Sequence, residues 1–117
     1  MEQKIHQVGN VINMDSMFAF CTKFNCNLSK WNVSTNTTDM GAMFRNCYNF
    51  DCDISNWNTI NNKDMTRMFK GCSNFNCDLS NWDVSNVEDM LETFKNCKNF
   101  DCDLSNWDVS NVEDVYY

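Results

Sequence analysis

Residues 72–96 read CSNFNCDLSNWDVSNVEDMLETFKN, and residues 100–115 return to the centre of that string as FDCDLSNWDVSNVEDV. A fixed internal period of roughly 20 to 50 residues determines an architecture before any local pattern does. Here the columns are regular. Trp31, Trp57, Trp82 and Trp107 are spaced 26, 25 and 25 residues, and Phe24, Phe50, Phe75 and Phe100 follow the same spacing. So do Cys21, Cys47, Cys72 and Cys97, with their companions Cys26, Cys52, Cys77 and Cys102. The one extra residue lies between Trp31 and Met40, in the polar stretch NVSTNTTD, which can bulge outward.

Within the unit, Leu79, Trp82, Val84 and Val87 have leucine-rich spacing, and Trp82 and Val84 flank one residue, the period of a short strand. Met90 and Phe94 are four apart and Cys97 three further on, the period of a helical turn. This pattern predicts an α/β solenoid, a leucine-rich-repeat-like, right-handed stack of about four 25-residue rungs, each a short strand plus a short helix or turn. No rung buries its Phe, Leu, Trp, Val and Met alone, so each is stabilised by its neighbours. Residues 1–13 diverge and read as an N-terminal cap; residues 14–117 read as the repeat, with rungs near 14–46, 47–71, 72–96 and 97–117. At the far end, either Tyr116 and Tyr117 form a lid on the apolar stack, or the chain continues or docks onto another molecule.

The size suits a single core: 117 residues, with nine Lys plus Arg against 16 Asp plus Glu and a formal charge of −7. That charge disfavours nucleic acid and anionic lipid as partners. No stretch has the apolar length of a membrane-spanning helix, and the first residues carry no signal-peptide pattern. There is no Pro, only three Gly, and 20 Asn, so Asn takes over turn formation. The asparagines before Trp (Asn56, Asn81, Asn106) and before Phe (Asn49, Asn74, Asn99) read as structural columns bonding along the stack.

The strings FNCDLSNWDVSNVEDM and FDCDLSNWDVSNVEDV, with DMGAMF and DMTRMF before them, resemble the BspA-like leucine-rich repeats, 26-residue repeats of bacterial surface proteins that also occur in large DNA viruses and protists. The resemblance covers residues 14–115 and implies adhesion, host contact or structural display without a catalytic site. The chain departs from that family in carrying Cys between Phe and Asp, where Gln is common, and Cys after the helix, where a small residue is common.

Four readings of the eight cysteines stay open. One is an in-rung disulfide per unit (Cys21–Cys26, Cys47–Cys52, Cys72–Cys77, Cys97–Cys102), each worth about 2 kcal/mol on the chain-entropy model. The others are bonds between rungs, free buried thiols filling two columns, and zinc. A thiol–disulfide redox protein is a further alternative, although C-x-x-C is absent. The acids have two readings as well. Asp39, Asp64, Asp89 and Asp114 before the helical turns, with Arg45, Lys70 and Lys95 after them, suit helix dipoles. Stacked Asp53, Asp78 and Asp103, and Asp83 and Asp108, could instead present carboxylate ladders to calcium.

The leucine-rich register places the four Trp inward and leaves Asn32, Asn58, Asp83 and Asp108, with Ser85 and Ser110, on an outward polar, acidic face. Such a face suits a protein partner or a glycan better than a small apolar substrate. No nucleophile, base and oxyanion set and no phosphate loop is visible, and no cofactor is called for. The expectation is a non-enzymatic repeat scaffold for structural or adhesive protein contacts, on a virus particle or a cell surface. Its expected partners are capsid or surface proteins, or another copy bound head to tail.

Overall fold

The computed structural model describes residues 7–8, 13–25, 27–33 and 36–113. Through them the chain winds in coils, with like residues of successive coils directly above one another. Ring centroids of Phe18, Phe44, Phe69 and Phe94 follow at 5.6, 5.8 and 5.6 Å. Phe24, Phe50, Phe75 and Phe100 form a second file at 5.9, 5.4 and 5.7 Å. The files touch inside every coil, as at Phe44–Phe50 (4.0 Å) and Phe69–Phe75 (4.4 Å). Trp31 and Trp57 stack at 6.4 Å, and Trp57, Trp82 and Trp107 lean on the first file.

Met40, Met43, Met65, Met68, Ile54, Leu79 and Val87 complete the interior, all fully buried. Removing one such side chain from water contributes about 1.5–3 kcal/mol. Three indole N–H groups also find a carbonyl one coil earlier: Trp57 donates to Leu28, Trp82 to Ile54 at 3.0 Å and Trp107 to Leu79 at 2.9 Å. The Trp columns are therefore interior and tie neighbouring coils together.

The coils are not strand-plus-helix rungs, and the α/β expectation is corrected. Among the described residues there is no helix, and the only strands are β1 (Gln7–Val8) and β2 (Asn32–Val33), paired in parallel with Gln7 opposite Asn32. At the later coils the same positions make no ladder; isolated parallel bridges link Asn13, Asp39, Asp64 and Asp89 instead.

The reason lies in the backbone. Ser16, Ala42, Arg67 and Glu92 have φ of 60°, 51°, 53° and 55°, and Phe20, Asn46, Gly71 and Asn96 are left-handed four residues later. A right-handed helix cannot run through such residues. The Met and Phe four apart are brought to one side by a pair of left-handed kinks rather than by a helical turn. Each kink aims an amide along the stack: Ala42 N–H donates to Thr66 (2.7 Å), Arg67 to Leu91 (2.8 Å) and Gly71 to Lys95 (2.8 Å). Intervening amides bond three residues back, as Cys47 to Phe44. Holding an L-residue there costs of order 1–3 kcal/mol, offset by these bonds between coils.

Turns make up the rest of each coil, and Asn and Asp build them. The side chain of Asp53 accepts the amide of Ser55, Asp78 that of Ser80 and Asp103 that of Ser105. Asp83 and Asp108 do the same for Ser85 and Ser110, and Asp39, Asp64 and Asp89 for Gly41, Thr66 and Leu91. These are Asx turns, a role otherwise given to Pro and Gly. The helix-dipole reading of Asp39, Asp64 and Asp89 is corrected accordingly: they cap turns. Asp114, Cys26, the Tyr116–Tyr117 lid, two residues of the expected bulge and most of the expected 1–13 cap lie outside the described residues.

Candidate functional site

The outward face is built from the turns at Asn58–Ile60, Asp83–Ser85 and Asp108–Ser110. Asn58, Asp83, Asp108 and Ser110 are exposed and Ser85 is half-buried; Asn32 belongs to β2, and its side chain lies outside the description. Asp83 accepts both the amide (3.0 Å) and the hydroxyl (2.6 Å) of Ser85, and Asn58 accepts the amide of Ile60. The face is thus a column of short polar side chains pinned by their own backbone. Hydrogen bonds from the serine hydroxyl and then the serine amide hold Asp53, Asp78, Asp83 and Asp108 below the usual carboxylate range, so these groups stay charged in mildly acidic solution. Asparagine amides brace the face one coil back: Asn86 donates to the Ile60 carbonyl and Asn111 to that of Ser85, both at 2.7 Å.

A shallow cleft of about 460 Å³ opens beside this column, between Asp78, Ser80, Asp101, Asp103 and Asn106. Two of its three acids are committed to turns: Asp78 to Ser80, Asp103 to Ser105. Among the described residues no group of three or more His, Cys, Asp and Glu is placed to hold a metal ion.

The seven described cysteines are free thiols, so the in-rung disulfides are absent from this structure. Three sulfurs of the first column bond to the preceding coil. Cys47 donates to the Phe18 carbonyl (3.0 Å), Cys72 to Phe44 (2.9 Å) and Cys97 to Phe69 (2.8 Å). The second column also reaches back, Cys52 to Asn25 Oδ1 at 3.3 Å and Cys102 to Asp78 Oδ1 at 3.5 Å. Burial pushes Cys47 up to about 12 and Cys77 and Cys97 up to about 11, and raises Cys72 as well. A thiol kept protonated at neutral pH is a poor nucleophile and a poor metal ligand.

A charged cluster escaped the repeat-based reading. Glu92 accepts Arg67 Nε and Lys70 Nζ, both at 2.9 Å, and Lys95 Nζ at 3.1 Å. The three donors, Lys70 first, pull its carboxyl down to about 2. Lys70 and Lys95 therefore serve a carboxylate, and among the described residues no helix end is present for them to complement. Column comparison holds the signal: Glu92 stands where earlier units have Arg67, Ala42 and Ser16, so acid meets base one coil apart. Arg45, in the same column as the two lysines, lies over the Phe20 ring at 5.4 Å instead.

Stacked coils of Asx-capped turns with continuous aromatic files define a repeat protein with a lateral polar face. The chain belongs to the family described as Mycoplasma protein of unknown function, DUF285, which matches residues 2–38 and 13–117. No curated protein and no solved structure matches the chain.

Proposed function

We propose that the chain is a non-enzymatic repeat scaffold that makes adhesive or structural protein contacts through its lateral face, displayed on a cell surface or a particle. The observation that carries the reading is the pinned column of Asn58, Asp83, Asp108 and Ser110. It is exposed, charged and repeated at coil spacing, and its side chains are ordered before any partner arrives. Pre-ordering lowers the entropic cost of binding, and an acidic face selects a basic partner. The BspA-like character of NWDVSNV and the family match support a surface role, and the high thiol pKa values argue against redox chemistry.

The test is adhesion of beads coated with the full chain to intact host cells, for wild type and for Asp83→Asn combined with Asp108→Asn. Wild-type beads should adhere in a salt-sensitive manner, and the variant should lose most of the adhesion while keeping its far-ultraviolet spectrum. Equal adhesion of the two, or none by wild type, would sink the proposal.

A further inference from the structure

The coil surface changes sign at the second Phe file. Residues 16–24, 42–50, 67–75 and 92–100, each ending on a Phe of that file, hold six of the nine cations (Lys23, Arg45, Arg67, Lys70, Lys95 and Lys98) and one of the 16 acids, Glu92. The three residues after each Phe hold no cation; they supply Asp51, Asp53, Asp78, Asp101 and Asp103, all exposed. A chain of net charge −7 therefore carries a basic ridge beside an acidic one.

The two ridges do not neutralise each other within the chain. Among the described residues the ion pairs join Glu92 to Arg67, Lys70 and Lys95, three cations on one carboxylate, and leave the acidic ridge unpaired. Arg45 has no carboxylate among them, and its buried Nε has no hydrogen-bond partner. Three residues on, Tyr48 is 46% exposed, an aromatic of the kind that anchors protein interfaces. Each ridge also sets one charge per coil in a column: Arg45, Lys70 and Lys95 in one, Asp53, Asp78 and Asp103 in the other. Both columns share the rise of the coils, which separates the rings of the second Phe file by 5.9, 5.4 and 5.7 Å. Two copies laid side by side match charge to charge on successive rungs, a fit that a partner without this repeat lacks.

We infer that the basic ridge around Arg45 and Tyr48 docks against the acidic ridge of Asp51, Asp53 and Asp78 on a second copy of the chain. The contact is heterologous: each copy keeps one ridge of each sign free, so association runs on rather than stopping at a two-fold dimer. The net negative charge does not prevent it, because at about 0.15 M salt charges more than ~8 Å apart are largely screened and the facing ones decide. The inference goes beyond the adhesion proposal and uses none of Asn58, Asp83, Asp108 and Ser110.

The test is the weight-average mass of the full chain by sedimentation over an about hundredfold range of concentration, in about 0.15 M and about 1 M salt. The mass should rise with concentration at the lower salt and stay that of one chain at the higher. Two sets of substitutions borrow residues that the repeat already places in the same columns. Arg45→Ala with Tyr48→Ser takes the residues found at Ala19 and Ser73. Asp51→Asn, Asp53→Asn and Asp78→Asn together take those at Asn76 and Asn27, and Asn27 accepts the amide of Ser29 as Asp53 accepts that of Ser55. Each set should weaken association at least about tenfold and leave the far-ultraviolet spectrum unchanged. Asp83→Asn with Asp108→Asn should associate within about twofold of wild type, so this inference and the adhesion proposal fail separately. The inference is overturned if the mass never exceeds one chain, if association survives the higher salt, if either ridge set associates as wild type does, or if the lateral-face variant loses association too. Capture of a sulfated glycan by the basic ridge without self-association would also overturn it.

Discussion

The inner coils and the last described coil carry nearly the same residues in very different surroundings. Phe50 and Phe75 are fully buried, while Phe100 in the same file is partly open; Trp82 is buried and Trp107 is not; Cys72 is sealed and Cys97 half-open. Sequence is held constant across this comparison and only the neighbour above changes. Burial in this protein is therefore a property of position in the stack, supplied from outside each unit, as expected of a quasi-one-dimensional array.

Three measurements would sharpen or break that contrast. Phe69→Ala removes a ring stacked on Phe44, Phe75 and Phe94 and should cost about 3–5 kcal/mol in urea unfolding, whereas Phe100→Ala should cost less than half of that. Equal losses would mean that the terminal coil is as tightly held as the interior.

Alkaline pH gives the next effect. The inner thiols titrate higher when folded than the ordinary thiol near 9, so their contribution is complete below pH 9 and declines as pH rises toward the folded values, about 11 for Cys77 and about 12 for Cys47. Across that window each fully coupled thiol removes at most about 1.4 kcal/mol per pH unit. Cys47→Ala should flatten the slope visibly and Cys102→Ala hardly at all, since Cys102 is the more open; denaturant melts between pH 8 and 11 read this directly.

The smallest effect belongs to Glu92. Its lowered pKa means that its ion pairs stabilise the chain above the ordinary carboxylate range and fade as pH falls toward about 2. Glu92→Gln should therefore shift the melting temperature slightly at pH 7 and not at all near pH 2, with the wild-type acid loss correspondingly shallower in the variant.

Much of this was legible in the residues. The 25-residue spacing of Trp and Phe located the files, because like residues at a fixed period must either stack or expose large apolar rings. The excess of Asn and the lack of Pro announced turns without Pro or Gly, but not that Asp side chains would cap most of them. The local conformation was not legible: Met90 and Phe94 fit a helical period, and nothing in Ser16, Ala42, Arg67 and Glu92, four chemically unlike residues, signals one shared left-handed φ. That geometry follows from bonds between coils, a non-local term that a window of sequence does not contain. The polar face was read from the leucine-rich register rather than from the turn chemistry that pins it, and Glu92 was missed because it departs from its own column.

Gly71 could tolerate the left-handed region at no cost, yet Ala42 occupies it with an L side chain. Position 42 is therefore one where stereochemistry and fold disagree. A mirror-image alanine installed there by chemical synthesis would suit the backbone better than the ribosome's own, and the direction in which each coil hands its amides to the next is written in handedness before any partner is met.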